Sequence, residues 1–344
     1  MQKISKKLKV ILGARKTPYA IEKNSLNKII LVKSPKRIKT NSIVFRDQFN
    51  YGHREILLDY LGLDHSHAIV GRLQHGLFDP SITSLRTPIN IRLFKQAPFF
   101  VYSKVIENIS KTRGFSHVKA IGCPWFYLPK VTDKEKKTIE SKKFLIMPEH
   151  STANYPNISS IKEKQIRASF FRSITGDQKA TVCLHHIDYL ELATRNSYLE
   201  QGFEVTCAGV GYNIIPWSMA GDRVNFLPNL RHLILQHDNL ISESISIQVF
   251  FATSLGKKVG IFPGVNSLIK LGSFGSRSNA KKFESSYYFS EELNQNFKKV
   301  YNTCDYLGNS EELLNQFLGY DSILTKDELR NRLVLEPNVY PINL

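Results

Sequence analysis

The sequence predicts an α/β protein with parallel sheets, divided between two domains. Three observations lead there. Short apolar runs of strand length alternate with helical patterns nearly throughout the chain. At 344 residues the chain is long enough for two domains and a sizeable core. Polar, chemistry-bearing residues also fall at the carboxyl ends of the expected strands, the edge that holds the ligand crevice in open parallel sheets.

In the first domain, residues 1–130, Asn41–Phe45 reads as a strand followed by a helix over His53–Leu61, where Ile56, Leu57, Tyr60 and Leu61 share a face. His67–Gly71 begins a strand that leads into Gln74-His75-Gly76. Phe99–Tyr102 is a third strand, Lys104–Lys111 a helix closed near Gly114, and Val118–Gly122 a fourth strand. Residues 131–143 are dense in charge and poor in apolar side chains, and they read as the linker or, alternatively, as a surface helix.

The second domain, residues 144–344, repeats the alternation. Its expected strands are Phe144–Met147, Thr181–Leu184, Phe203–Cys207, Arg231–Leu235 and Lys258–Phe262. A helix is expected from Tyr189 to about Gln201, capped by Gly202. Another is expected from Ser242-Glu243-Ser244 through Phe251, closed by Gly256. Thr325 and Glu328 form a capping-box pattern ahead of a last helix. No internal repeat of solenoid length is present.

Composition narrows the function. Hydrophobic content of 42% with 22% charged residues describes a globular chain, not a disordered one. Four scattered cysteines, Cys123, Cys183, Cys207 and Cys304, form no CxxC pair, which excludes a zinc ribbon and fits a reducing cytoplasm. The apolar run Val10-Ile11-Leu12 is too short for a signal-peptide core, and no stretch has membrane-spanning length. The net charge of +17 is uneven: residues 1–40 hold twelve basic side chains against one acid, Glu22, a net +11. Such a cluster suits an anionic membrane surface, a nucleic-acid backbone, or solvation alone.

The candidate residues gather at expected strand ends. These are Arg46-Asp47-Gln48, Gln74-His75, Glu149-His150-Ser151-Thr152, His185-His186 with Asp188, and Gln236-His237-Asp238. Two sheets with their strand ends facing each other would bring all of them into one cleft between the domains. His75 is a general acid or base candidate, and Gly76 after it lets a substrate approach the backbone. Glu149, His150, Ser151 and Thr152 offer a cation and hydroxyl donors for a phosphate, or form a plain polar loop. A helix starting near Ser244 would present free N–H groups to an anion, with Ser242 or Ser244 adding a hydroxyl. Glu243 would accept from a ribose or sugar hydroxyl, or serve as an acid near a helix start. Adjacent His185 and His186 at a strand end should point to opposite sides and seldom share an ion, so no metal site is expected. No GxSxG, P-loop or GxGxxG fingerprint occurs.

The runs HHIDYLELATRNSYLEQGFEVTCAG and HLILQHDNLISESISIQVFFATSLGKKVGIF resemble the donor half of a GT-B glycosyltransferase. GRLQHGLFDP, FFVYSKVIENISKTRGF and VKAIGCPWFYLP are similar to the first domain of CDP-glycerol glycerophosphotransferase-like and related surface-polysaccharide transferases. His150-Ser151 is similar to the donor loop of bacterial sialyltransferase-like enzymes, although Glu-His-Ser stands here where those families usually carry His-Pro. The resemblance implies two Rossmann-like domains facing a central cleft and metal-independent transfer from a CMP- or CDP-linked donor to a glycan or lipid-linked acceptor, with no cofactor. It implies His75 or Asp47 as the base. The donor side would comprise Glu149, His150, Ser151, Thr152, Gly209, His237, Ser242, Glu243 and Ser244. A cytoplasmic enzyme held peripherally at the inner membrane by residues 1–40 is the expected setting, with no nucleic-acid partner. The rival readings are a nucleotide-sugar epimerase or hydrolase of similar fold, a basic nucleic-acid-binding protein, and a catalytically silent scaffold.

Overall fold

The computed structural model describes residues 29–31, 43–45, 50–74, 76–77, 97–132, 141–149, 161–209, 225–243, 246–261 and 311–336. The chain is α/β with parallel sheets, and it divides into two compact units. The first runs to Leu128 and takes in the chain again from Asn315; the second is Pro129–Leu314. The stretch after Asn315, which the sequence reading leaves with the second domain, therefore lies in the first unit.

In the first unit, β1 (Ile29–Leu31) and β2 (Ile43–Phe45) pair antiparallel. Helix α1 (His53–Leu61) matches its expected span, and Gly62 closes it in the left-handed region. The segment expected as one strand from His67 is two short ones, β3 (Ala68–Ile69) and β4 (Arg72–Leu73). Between them Gly71 takes φ 113°, and an added Cβ there would lie 2.4 Å from Pro98 O. β4 pairs in parallel with β5 (Phe99–Val101), and β5 with β6 (Val118–Ala120). Helix α2 (Lys104–Thr112) joins β5 to β6, its Ser103 N-cap accepting from Ile106 N.

The second unit holds a five-stranded parallel sheet. Its strands are β7 (Lys142–Met147), β8 (Ala180–Leu184), β9 (Glu204–Cys207), β10 (His237–Ser242) and β11 (Lys258–Ile261), in the spatial order β11-β10-β7-β8-β9. The chain thus starts in the middle, runs outward to one edge, then returns across β7 to build the other side. Burial follows position: all five residues of β8 are buried, whereas edge strand β9 has none fully buried.

Helix α3 (Ile161–Thr175) links β7 to β8 and buries Lys164, Ala168, Phe171 and Thr175, a stripe at helical spacing. Two of those four are polar, so the stripe does not stand out as an apolar pattern. Phe171 and Ala168 join Ile146, Val182, Leu184, Tyr198, Phe203 and Ile241 in one core. The helix expected from Tyr189 to Gln201 is two, α4 (His186–Leu190) and α5 (Leu192–Leu199), broken at Glu191, whose ψ of 107° is extended.

One expected strand is a helix. Arg231–Leu235 belongs to α6 (Phe226–Leu235), with Phe226, Leu227, Leu230 and Ile234 buried at helical spacing. Its apolar run Leu233-Ile234-Leu235 is too short to tell strand from helix by period alone. The strand begins only at His237. Helix α7 (Ile247–Ser254) starts five residues after Ser242, with Ser246 at its N-cap, and Gly256 follows its end at φ 71°.

Helix α8 (Glu311–Leu318) leads the chain back to the first unit, where α9 (Lys326–Arg332) and β12 (Leu335–Glu336) complete it. β12 pairs antiparallel with β3. Thr325 and Glu328 form the expected capping box. Among the described residues no helix is long and apolar enough to cross a membrane.

Candidate functional site

The strand order of the second unit reverses at β7. β8 and β9 lie to one side of β7, β10 and β11 to the other, so the connections leave β7 and β10 in opposite directions. Ligands of open α/β sheets bind outside the carboxyl ends of the strands at such a reversal. Met147 and Ser242 are register partners at the ends of β7 and β10, and the chain beyond them reaches Pro148-Glu149 on one side and Glu243 on the other.

Glu243 is wholly buried, and both of its oxygens are engaged. The Glu149 backbone N–H donates to Oε2 at 2.7 Å, and Arg167 Nε on α3 lies 3.0 Å from Oε1. A buried carboxylate needs such compensation, because its desolvation otherwise exceeds what the fold can offset. Tyr198 on α5 is buried beside the pair. Burial first, and then the Glu243 charge, push its phenol above the ordinary range, with Arg167 acting in the opposite sense. Lys164 pairs with Glu191 at the break between α4 and α5, and Glu191 also accepts from Thr194 Oγ1 at 2.5 Å. Burial opposes ionisation of Glu191, but the Lys164 and Thr194 bonds outweigh it and hold its carboxyl below the ordinary value. A recess of about 20 Å³, room for one water, lies among Pro148, Glu149, Lys164, Arg167, Asp188 and Tyr198.

Three donor-side residues of the sequence reading thus meet at this edge: Glu149, Ser242 and Glu243. Glu149 projects an exposed side chain, Ser242 is a buried strand end, and Glu243 is committed to Arg167 and the Glu149 amide. Gly209 lies on the same edge after β9, at φ 118°, two strands from β7 and so about 10 Å away.

His237 does not join them. It opens β10 and pairs in register with Lys142, the first residue of β7, at the amino edge. Five residues of strand, about 16 Å, separate it from Ser242. Its ring is buried between Leu233 O at 2.6 Å and Thr181 Oγ1 at 2.9 Å. The strand expected to end at His237 is helix α6, which is why the residue moved to the opposite edge.

His185 and His186 also differ from expectation. Their rings lie against each other, with centroids 4.1 Å apart, because the strand has already ended at Leu184. His185 is the N-cap of α4 and accepts from Ile187 N at 3.5 Å. Cys183 is packed in the core, its thiol pushed up to about 12 by burial.

In the first unit the carboxyl ends of β4 and β5 are tied together by Gln74. Its Oε1 accepts from Tyr102 N at 2.9 Å, its Nε2 donates to Gly76 O at 3.1 Å, and the Tyr102 hydroxyl donates to Gln74 O at 3.1 Å. The buried His53 ring, at the start of α1, meets Tyr102 edge-on with centroids 6.2 Å apart. Tyr51 just before it has φ 56°, the left-handed region that non-glycine residues seldom occupy. Asp47, His75, His150, Ser151, Thr152 and Ser244 lie outside the described residues.

No sequence-family profile matches the chain, and no curated protein sequence matches it. Solved structures similar to it include a UDP-GlcNAc 2-epimerase from Neisseria meningitidis bound to UDP-GlcNAc, at 15% identity and a TM-score of 0.33. The S. aureus MnaA–UDP co-structure is similar at 14% identity and 0.29. The wall teichoic acid polymerase TagF with CDPG is similar at 15% identity and 0.36. The matches cover 68%, 67% and 68% of this chain and 62%, 54% and 56% of those chains, less than two-thirds of each. This likeness is too distant to assign a family.

Sequence reasoning missed Arg167, Lys164, Tyr198 and His53. Arg167 sits in a helix that was not foreseen, and Tyr198 reads as an ordinary core aromatic. For His53 the signal was present, since Tyr51-Gly52 precedes the helix it opens.

Proposed function

We propose that the protein is a glycosyltransferase of GT-B type. It moves a sugar, or a sugar acid or polyol phosphate, from a CMP- or CDP-linked donor to a surface-glycan acceptor, without a metal. The observation that carries this reading is the strand order β11-β10-β7-β8-β9, which brings Glu149, Ser242 and Glu243 to the reversal point of a parallel sheet. The nucleotide occupies that edge. His150, Ser151, Thr152 and Ser244, from the sequence flanking the two strand ends, meet its phosphates.

In the reaction an acceptor O–H attacks the carbon or phosphorus joined to the leaving phosphate oxygen. The new C–O or P–O bond forms as the bond to that oxygen breaks. The acceptor proton passes to His75 or Asp47, and the nucleotide leaves carrying the negative charge. Donors aimed in advance at the departing phosphate supply the main electrostatic stabilisation. The +11 segment of residues 1–40 holds the enzyme at an anionic leaflet when the acceptor is lipid-linked.

The test is nucleotide release from CMP-, CDP- and UDP-linked donors, with and without acceptor and with EDTA. Acceptor-dependent release of CMP or CDP that survives EDTA is the expected result. His75→Ala or Asp47→Asn, whichever removes the base, is expected to lower turnover about 10²- to 10⁴-fold. Free sugar or an epimerised donor formed without acceptor would move the protein to the epimerase or hydrolase reading.

A further inference from the structure

Glu243 connects three elements at the reversal point. It follows β10, its Oε2 receives the Glu149 amide at the end of β7, and its Oε1 faces Arg167 from α3, the helix that returns the chain toward β8. The carboxylate has no exposed surface, and the Arg167 side chain is only 11% exposed. With both oxygens committed in this way, the group is poorly placed to receive a ribose or sugar hydroxyl. Its geometry suits holding the opening of the β7 loop.

We infer that Arg167 is a positioning residue of the crevice: through Glu243 it holds the Glu149 amide, and with it the first residues past β7. The inference rests on the nucleotide-binding reading above only for what the loop then contacts. The latch itself is a property of two described side chains and one amide. Arg suits the task because its guanidinium stays charged when desolvated and keeps further N–H donors after pairing.

Two measurements on the full chain separate the latch from the ligand. Hydrogen exchange of the Glu149 amide reads the latch directly, and calorimetric titration with CMP and CDP reads its consequence. Arg167→Met alone strands a buried carboxylate and risks unfolding, so the informative variant is Arg167→Met with Glu243→Met, an apolar pair of similar volume. In it the Glu149 amide is expected to exchange about 10- to 100-fold faster, the range for losing a hydrogen bond to a charged group. Nucleotide affinity should fall by about tenfold or more while the melting temperature stays near wild type. Glu243→Gln keeps an oxygen that can accept from Glu149 N–H but gives up the charge facing Arg167, so both readouts should move less than in the double variant. Arg167→Lys, which keeps the charge, should fall between the two.

Unchanged Glu149 exchange in the double variant would overturn the inference. So would a Glu243→Gln affinity loss as large as that of the double variant, because Glu243 would then touch the ligand itself. If the double variant does not fold, Arg167→Lys decides: faster Glu149 exchange supports the latch, and wild-type exchange rejects it. If the wild type binds neither nucleotide, the nucleotide reading fails and the exchange data still decide the latch.

Discussion

The Leu233 carbonyl can only accept, so the 2.6 Å contact from His237 Nδ1 places a proton on that nitrogen. The Thr181 hydroxyl, 2.9 Å from Nε2, has a single proton, which also faces Glu204 Oε2 at 3.2 Å. Burial, the largest influence, lowers the His237 pKa below its ordinary 6.5; Lys142 and Lys257 push the same way, while the Leu233 bond and Glu204 oppose them. A histidine whose folded pKa is depressed contributes stability that is full above the unfolded value and lost as pH falls through the folded one. Unfolding midpoints should therefore drop as pH falls below the unfolded value of 6.5. His237→Gln should flatten that slope, and denaturant titrations across this range check it; parallel slopes would reject the assignment. Burial also pushes the Cys123 and Cys183 thiols up to about 12. Iodoacetamide at pH 8 should leave both unmodified in the native protein and label both in denaturant, as peptide mapping would show. The burial of Cys183 was legible from its place in an expected strand, whereas Cys123 precedes a short helical turn and carries no such pattern. The Glu243–Arg167 pair was not legible, because an ion pair across 76 positions leaves no local trace.

Thr325 and Glu328 belong to the scale of elements. The Thr325 hydroxyl and the Glu328 carboxylate cap α9 reciprocally, and Leu329 behind them is fully buried. Thr325→Ala should cost about 1 kcal/mol, measured by equilibrium unfolding. Gly319 ends α8 at φ 63°, and an added Cβ would fall 1.9 Å from Tyr102 O, so the backbone of one element must move. Gly319→Ala should therefore destabilise more than Thr325→Ala, and a smaller effect would mean the two backbones do not meet this closely. The elements that local signals mark are the ones the sequence made legible. α1 with its closing Gly62, the capping box of α9 and the continuous apolar runs of β7 and β8 all carry their own patterns. α3 was hidden because Lys164 and Thr175 occupy half of its buried stripe. α6 was misread because three adjacent apolar residues fit either period, and only burial of Phe226, Leu227 and Leu230 settles it. That error carried His237 to the wrong end of the sheet, since a residue's edge depends on which element precedes it.

For the whole molecule, the alternation of strands and helices announced parallel sheets, but strand order is set by contacts distant in sequence. No local pattern says that β10 returns to lie beside β7, yet that return creates the crevice edge. Nor does one say that the chain after Asn315 rejoins the first unit. There Cys123 N donates to Leu318 O, Leu324 N to the Tyr127 hydroxyl, and Arg330 Nη2 to Leu61 O. Truncation after Leu314 should accordingly destabilise the first unit and leave the second folded, seen as loss of one of two unfolding transitions. The most direct test of the central claim, that the β7–β10 edge holds a nucleotide, is thermal shift of the full chain with CMP, CDP, UDP, GDP and ADP, in Mg²⁺ and in EDTA. A ligand at 100 times its dissociation constant stabilises the folded state by about 2.7 kcal/mol, well within detection. The expected result is a shift selective for cytidine nucleotides and the same in EDTA. No shift with any of the five would contradict it.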